Sequence, residues 1–160
     1  MLKLIKCEFL KLKRKKFIPL IILAAFLFPI PLTYLMTTPS MMERYTDRAD
    51  AFDGLFNMVL GYGIQFLLPC IIGVIAAILF FMERDNDTFK NLRTIPVTST
   101  QMVLAKIIVL FIFGIVFCVA STIATILCGF GTLEVYGIGY KLFLAVETGI
   151  FITAGTLPLI

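Results

Sequence analysis

The chain has 160 residues, of which 60% are hydrophobic and 15% charged, and its formal net charge is +4. A soluble domain is about half apolar and about a quarter charged, so this apolar surplus cannot be buried in one small core and indicates an integral membrane protein. Histidine is absent, which removes the commonest metal ligand and general base. The four cysteines form no Cys-x-x-Cys pair. We therefore predict no catalytic residue and no metal site.

The first sixteen residues combine an apolar face with a basic one. An apolar side chain recurs at every third or fourth position, at Leu2, Ile5, Phe9 and Leu12, which is the period of a helix. This pattern predicts an amphipathic helix over 1–16 that lies on an anionic membrane surface; a basic anchor without a helix is the alternative. The side chains expected at the lipid headgroups are Lys11, Lys13, Arg14, Lys15 and Lys16.

Four apolar runs follow, each long enough to cross a bilayer as a helix. A helix rises about 1.5 Å per residue, so about 20 apolar residues cross the roughly 30 Å hydrocarbon core. The predicted spans are 17–38, 59–82, 105–128 and 142–160. We therefore predict an all-α, polytopic transmembrane helix bundle that forms a single domain over 1–160. The first run exceeds the about 7–15 apolar residues of a secretory signal peptide.

Proline interrupts the first two runs. Pro29 and Pro31 lie in the first run, and Pro69 lies in the second. Proline has no backbone N–H and its ring clashes with the preceding turn, so we expect a kink or an unwound turn at both places.

The segment between the first two runs, 39–58, is predicted to be a solvated outer loop. It has four acidic and two basic residues, and Asp53-Gly54 is a turn signal. The spacing of its acids does not match a calcium-binding EF-hand loop.

The distribution of basic residues predicts the orientation of the chain. Eleven of the fourteen Lys and Arg residues lie in 1–16 and 83–106, and three lie in 39–58 and 129–141. Because cytoplasmic segments are enriched in Lys and Arg, the N-terminus and the central polar passage are predicted to be cytoplasmic.

The polar passage 83–104 separates the second and third spans. Asn86 or Asp87 is placed to cap a short helix over 88–94, and Pro96 then ends it. Thr98-x-x-Gln101 matches a capping box that starts the third span.

Two charged residues fall within or near the apolar runs. Lys106 is close enough to the start of the third span to extend its ammonium toward the interface. Glu147 lies inside the fourth run, where an acid is a functional candidate by default. Because Lys141 and the span boundary are close in sequence, a paired or interfacial structural role for Glu147 is equally consistent with the sequence.

The central passage resembles that of ABC-2 type transporter permeases, especially the small permeases of bacitracin and lantibiotic self-protection exporters. The matching features are Glu83 after the second span, the short helix over 88–94, the Pro96-Val97-Thr98 step, and Lys106 entering the third span. The basic amphipathic start is also similar to the cytoplasmic N-terminal helix of this family.

The resemblance implies a membrane permease in the bacterial cell membrane that exports a peptide antibiotic or similar amphiphile with a separate cytoplasmic ATPase. ATP and Mg would bind that ATPase, so this chain needs no cofactor and is not an enzyme. The implied partners are the ATPase, a second permease subunit (the same or different chain) and membrane lipids, with no nucleic acid. The residues implied to couple to the ATPase are Glu83, Arg84, Thr88, Phe89, Lys90, Leu92, Arg93 and Pro96.

Members of the family that the chain resembles usually have six spans, whereas four are counted here, so we expect the chain to be part of a longer permease. The alternative function is a small secondary transporter, or a membrane interaction protein, that works without an ATPase. Such a transporter needs polar residues or interrupted helices at the membrane midplane, and Glu147 and the Pro29/Pro31 break are the candidates.

Overall fold

The computed structural model describes residues 2–13, 17–85 and 99–157. These residues form helices joined by short turns, and none of them forms a strand. The predicted all-α fold is therefore confirmed. The elements are α1 (Leu2–Lys13), α2 (Phe17–Leu27), α3 (Pro29–Met36), α4 (Pro39–Met42), α5 (Arg48–Met58), a π-helical segment (Val59–Leu67), α6 (Leu68–Asp85), α7 (Ser99–Phe130) and α8 (Ile138–Thr156).

The described helices have the length and surface of membrane spans. Three continuous helical stretches, Arg48–Phe81, Thr100–Phe130 and Ile138–Thr156, are long and apolar enough to cross a bilayer, and Ile21–Met36 is a shorter apolar helix. Their outer faces expose large apolar side chains, for example Phe66 (73% exposed). Such a surface suits contact with lipid or another protein rather than with water.

The first predicted span is divided in two, as its prolines predict. Helix α2 ends at Leu27 and α3 begins at Pro29, and Phe28 still donates its backbone N–H to the carbonyl of Ala24 at 3.0 Å. Neither Pro29 nor Pro31 has an N–H to donate, so the hydrogen-bonded ladder is interrupted at this turn.

The prediction of a loop over 39–58 is wrong for its second half, which forms helix α5. Its apolar side chains Phe52, Leu55 and Phe56 are at most 3% exposed and recur at helical spacing. Asp50 lies in the first turn of α5, where a negative charge is favourable at the helix N-terminus. The turn signal at Asp53-Gly54 is overridden because this buried face packs into the bundle.

The expected distortion near Pro69 is a change of helix type. The nine residues Val59–Leu67 are π-helical, and α6 then begins at Leu68. The wider π-helical turn accommodates the missing N–H and the ring of Pro69, which an α-helix would place against the carbonyl of Gln65.

Helices α7 and α8 pack closely through small residues. A Cβ atom added to Gly149 would lie 3.2 Å from Cβ of Cys118, and one added to Gly114 would lie 2.7 Å from Oγ1 of Thr153. Small residues at a crossing allow two helix backbones to approach in a membrane. The polar hydroxyl of Thr153 is satisfied within α8 by the carbonyl of Gly149 at 2.5 Å.

The buried side chains form two hydrophobic clusters. The larger one joins α1, α2, α5, the π-helical segment, α6, α7 and α8, and it includes Leu68, Ile72 and Val109. The smaller one joins α3, α5 and the end of α7 around Phe52 and Ile126. The second cluster holds α5 against the turn that leads into α8, which positions the polar cluster described below.

Candidate functional site

The predicted coupling passage lies mostly outside the described residues. Glu83 and Arg84 belong to the last turn of α6, and their side chains are outside the described part of the structure. Thr88, Phe89, Lys90, Leu92, Arg93 and Pro96 also fall outside the described residues, as does the predicted helix over 88–94. The roles of these residues in coupling remain predictions.

The structure does show how the two helices that flank this passage are joined. Lys106 of α7 is 2% exposed, and its Nζ donates to the backbone carbonyl of Leu79 at 3.2 Å. The ammonium also lies 4.7 Å from the centre of the Phe80 ring, within cation–π range. The sequence suggested that Lys106 extends toward the interface, whereas in the structure its ammonium is buried against α6. It connects α7 to α6 because a buried ammonium requires such partners.

The predicted N-terminal helix is present as α1, and it packs against the bundle. Leu12 is 1% exposed and belongs to the large core cluster, and the rings of Phe9 and Phe113 stack with centroids 5.3 Å apart. Glu8 is also buried, at 6% exposed, which the sequence pattern did not predict.

The side chains of the five basic residues expected at the lipid headgroups are not described by the structure. Lys11 and Lys13 belong to α1, but their side chains lie outside the described part. Arg14, Lys15 and Lys16 lie wholly outside it. Contact of these five side chains with lipid remains a prediction.

A second polar site lies where α7 ends and α8 begins. The side chain of Lys141 is 6% exposed and its Nζ lies 2.5 Å from Oδ1 of Asp53 on α5. The ammonium also lies 4.0 Å from the centre of the Tyr136 ring and 4.2 Å from that of Phe52. The ammonium also donates a hydrogen bond to the backbone carbonyl of Tyr136 at 3.2 Å. The carboxylate, the carbonyl and the faces of the aromatic rings thus replace the water that the ammonium loses when it is buried.

Tyr136 completes this cluster from the turn before α8. Its hydroxyl donates a hydrogen bond to Oδ2 of Asp53. This bond, followed by burial and the negative charges of Asp53 and Asp50, raises the pKa of Tyr136 above its ordinary value. The turn depends on Gly137, whose φ of 63° lies in the left-handed region that glycine adopts without strain.

Sequence reasoning did not find the cluster of Asp53, Tyr136 and Lys141. The sequence pattern places Asp53 in a solvated loop and Lys141 just before the fourth predicted span. One available signal was the position of Lys141 beside a long apolar run, because a lysine there needs a partner. The sequence could not identify Asp53 as the partner of Lys141, because Asp53 is 83 residues from Tyr136 and farther still from Lys141 in the chain.

Glu147 lies at the centre of α8, nine residues from each end of the helix. Its side chain is exposed, and no hydrogen bond or ion pair joins it to any other described residue. Lys141, the cation nearest in sequence, is instead paired with Asp53. Glu147 is therefore not paired with Lys141, and an interfacial structural role for Glu147 stays a prediction.

The described residues contain no group of three or more acidic or cysteine side chains that is arranged to hold a metal ion. Cys118 is fully buried between α7 and α8, and Cys7 and Cys70 are exposed on separate helices. The buried lysines described above instead join helices to one another.

Comparison with known proteins assigns the sequence of this chain to a family. The profile described as ABC-2 family transporter protein matches residues 4–160. No curated protein and no solved structure matches the chain. Because the match covers nearly the whole chain, and because the helices have the lengths and apolar surfaces of membrane spans, the chain belongs to the ABC-2 family of multi-pass membrane transporter proteins.

Proposed function

We propose that this chain is the permease subunit of an ATP-driven exporter that removes a peptide antibiotic, a lantibiotic or a similar amphiphile from the membrane. The observation that carries the proposal is the family match over residues 4–160. Membership of this family implies that the chain functions together with an ATP-binding subunit. In our proposal that subunit is a separate cytoplasmic ATPase, which binds ATP and Mg and hydrolyses the nucleotide.

The proposed coupling element is the polar passage between α6 and α7. Glu83, Arg84, Lys90 and Arg93 provide the charges for docking, and Phe89 and Leu92 provide the apolar anchor. Thr88 and Pro96 complete the proposed coupling surface. Small anchors of this kind dominate the energy of many interfaces.

The bundle supports transmission of a movement that begins at this passage. Lys106 holds α7 to α6 through the carbonyl of Leu79, and α7 in turn packs against α1, α2 and α8. A displacement of the passage by closure of an ATPase would therefore move packed helices as rigid bodies.

We also propose that the N-terminus and the passage are cytoplasmic and that two permease subunits act together. The concentration of Lys and Arg in 1–16 and 83–106 supports this orientation. Single cysteines at Thr88 and Thr46, in a chain whose native cysteines are replaced by alanine, test it. A membrane-impermeant maleimide added to intact cells should label the T46C chain and not the T88C chain; the reverse pattern rejects the orientation.

Purification in mild detergent with mass spectrometry of the bound proteins tests the proposed function. We expect an ATPase with a nucleotide-binding P-loop to co-purify, and the double substitution K90A/R93A to reduce its recovery at least tenfold. The matched control is R44A/R48A, which removes two exposed arginines from the segment between the first two predicted spans. Recovery of the ATPase that is equal for both variants, or absent from the unmodified protein, contradicts the proposal.

A further inference from the structure

The outer face of α8 combines a carboxylate with large aromatic side chains. Tyr140, Phe143 and Phe151 are 71%, 65% and 70% exposed, and the side chain of Glu147 is exposed among them. Positions 140, 143, 147, 150 and 151 are separated by helical spacings of three and four, so they share one face of the helix. We call this set the α8 face.

The position of Glu147 makes an unpaired carboxylate unfavourable. Glu147 is nine positions from each terminal residue of α8, which is about 13.5 Å at 1.5 Å per residue. A glutamate side chain is too short to reach the interface from that depth. Charged residues within a span are rare and normally pair with another group or line a pathway. The α8 face therefore requires a partner that provides a positive charge.

The described spans offer no such charge. Lys106 is buried and contacts Leu79 and Phe80 of α6. Lys141 is buried and paired with Asp53, and Arg48 is the first residue of its span. A second copy of the chain, docked symmetrically on the α8 face, would bring a second Glu147 and no mid-depth cation from these spans. Charge complementarity therefore favours a cationic ligand from outside these described spans.

We propose that the α8 face is a recognition site for a cationic amphiphile, with Glu147 as its charge-pairing residue. The ammonium or guanidinium of the ligand lies against the Glu147 carboxylate, and its apolar body packs on Phe143 and Phe151. The two aromatic rings, four residues to either side of Glu147, favour a cation both as an apolar surface and through their electron-rich faces. This inference rests on the proposed function, because it identifies the chemical class of the transported substrate.

The absence of tryptophan from the chain allows a specific binding test without an ATPase. Phe151→Trp introduces a single fluorophore one turn from Glu147, and Val116→Trp introduces one at a similar depth on α7, where the side chain is 40% exposed. Each variant is placed in phosphatidylcholine nanodiscs. The probes are dodecylammonium, brominated beside its head group, and dodecanol brominated at the same carbon, because bromine quenches tryptophan on contact.

We expect the ammonium probe to quench F151W at about one-tenth of the concentration that the alcohol requires, and this tenfold preference corresponds to about 1.4 kcal/mol. Adding E147Q should abolish the preference, whereas E134Q, a control at an exposed glutamate outside the spans, should preserve it. In V116W the two probes should quench equally.

Equal quenching of F151W by both probes, or a preference that survives E147Q, overturns the proposal. Failure of both probes to quench F151W while both quench V116W also overturns it, because a protein surface such as a second copy would then cover the α8 face. The experiment needs no ATPase, so its failure is distinguishable from failure of the permease proposal. Loss of the ATPase in co-purification would conversely leave the quenching result unaffected.

Discussion

Removal of Asp53 should destabilise the protein more than removal of its partner Lys141. The two members of this ion pair differ in their environment, because the side chain of Lys141 is 6% exposed and that of Asp53 is 42% exposed. D53A leaves an ammonium buried without its carboxylate. K141M keeps most of the apolar stem of the lysine in place and leaves a carboxylate that water can reach.

The contacts of Lys141 set the expected magnitude. Breaking a buried ion pair by removing one partner costs about 3–5 kcal/mol. In D53A the ammonium keeps the carbonyl of Tyr136 at 3.2 Å and the rings of Tyr136 and Phe52 at 4.0 and 4.2 Å, so we expect the lower limit, about 3 kcal/mol. For K141M we expect about 1 kcal/mol, since a pair whose acid is exposed to water contributes little. The double variant D53A/K141M strands no charge and should also lose about 1 kcal/mol.

Thermal unfolding in detergent measures these differences, and Cys118 provides the signal. This thiol is fully buried, whereas Cys7 and Cys70 are exposed. Cys7, Cys70 and the half-buried Cys128 are first replaced by alanine, and a maleimide dye then reports the temperature at which Cys118 becomes accessible. At about 2–4 °C per kcal/mol for a chain of this size, D53A should lower the midpoint by about 6–12 °C and K141M by about 2–4 °C.

Two results would refute this reasoning. If K141M lowers the midpoint as much as D53A, the buried ammonium is not the source of the cost. If D53A/K141M is as unstable as D53A, the loss comes from the contacts of Asp53 with Tyr136 or α5 and not from a stranded charge.

Two glycine substitutions test the packing of α8, and a titration of Tyr136 tests the turn before it. Gly149→Ala should destabilise the protein by about 1–3 kcal/mol, because the new methyl group has no room beside Cys118; Gly155→Ala, which has no heavy atom within 4 Å of its added Cβ, should be neutral or stabilising. Thermal unfolding followed by size-exclusion chromatography measures both, and equal losses would contradict the close packing. Tyr136, whose pKa is raised by its hydrogen bond to Asp53, should ionise above its usual pKa of about 10 in an absorbance titration, and D53A should return it to the usual range. Because the folded-state pKa is the higher one, this bond stabilises the fold fully below the unfolded-state pKa, and its contribution is lost as pH rises through the folded-state pKa; a Tyr136 titration unchanged by D53A would show that the bond does not form.

Local composition and residue spacing by themselves determined the fold class of this protein and the positions of several of its helices. The excess of apolar residues predicted a helical membrane protein, and the spacing of Leu2, Ile5, Phe9 and Leu12 predicted the helix α1. The third predicted span lies within α7 (Ser99–Phe130), and the prolines predicted the break at Phe28. These features depend on neighbouring residues and on the thickness of a bilayer, so a single sequence contains the information for them.

Three features were decided only by tertiary packing. Helix α5 forms because Phe52, Leu55 and Phe56 find a buried surface, although the local pattern indicated a loop. Lys141 is stabilised by Asp53 and Tyr136, and Lys106 by α6. Glu147 lies on the outer face of α8 because α7 occupies the opposite side. The physical reason is the same in each case: periodicity determines which residues share a helix face, but only the neighbouring helices determine whether that face meets protein, lipid or a charged partner.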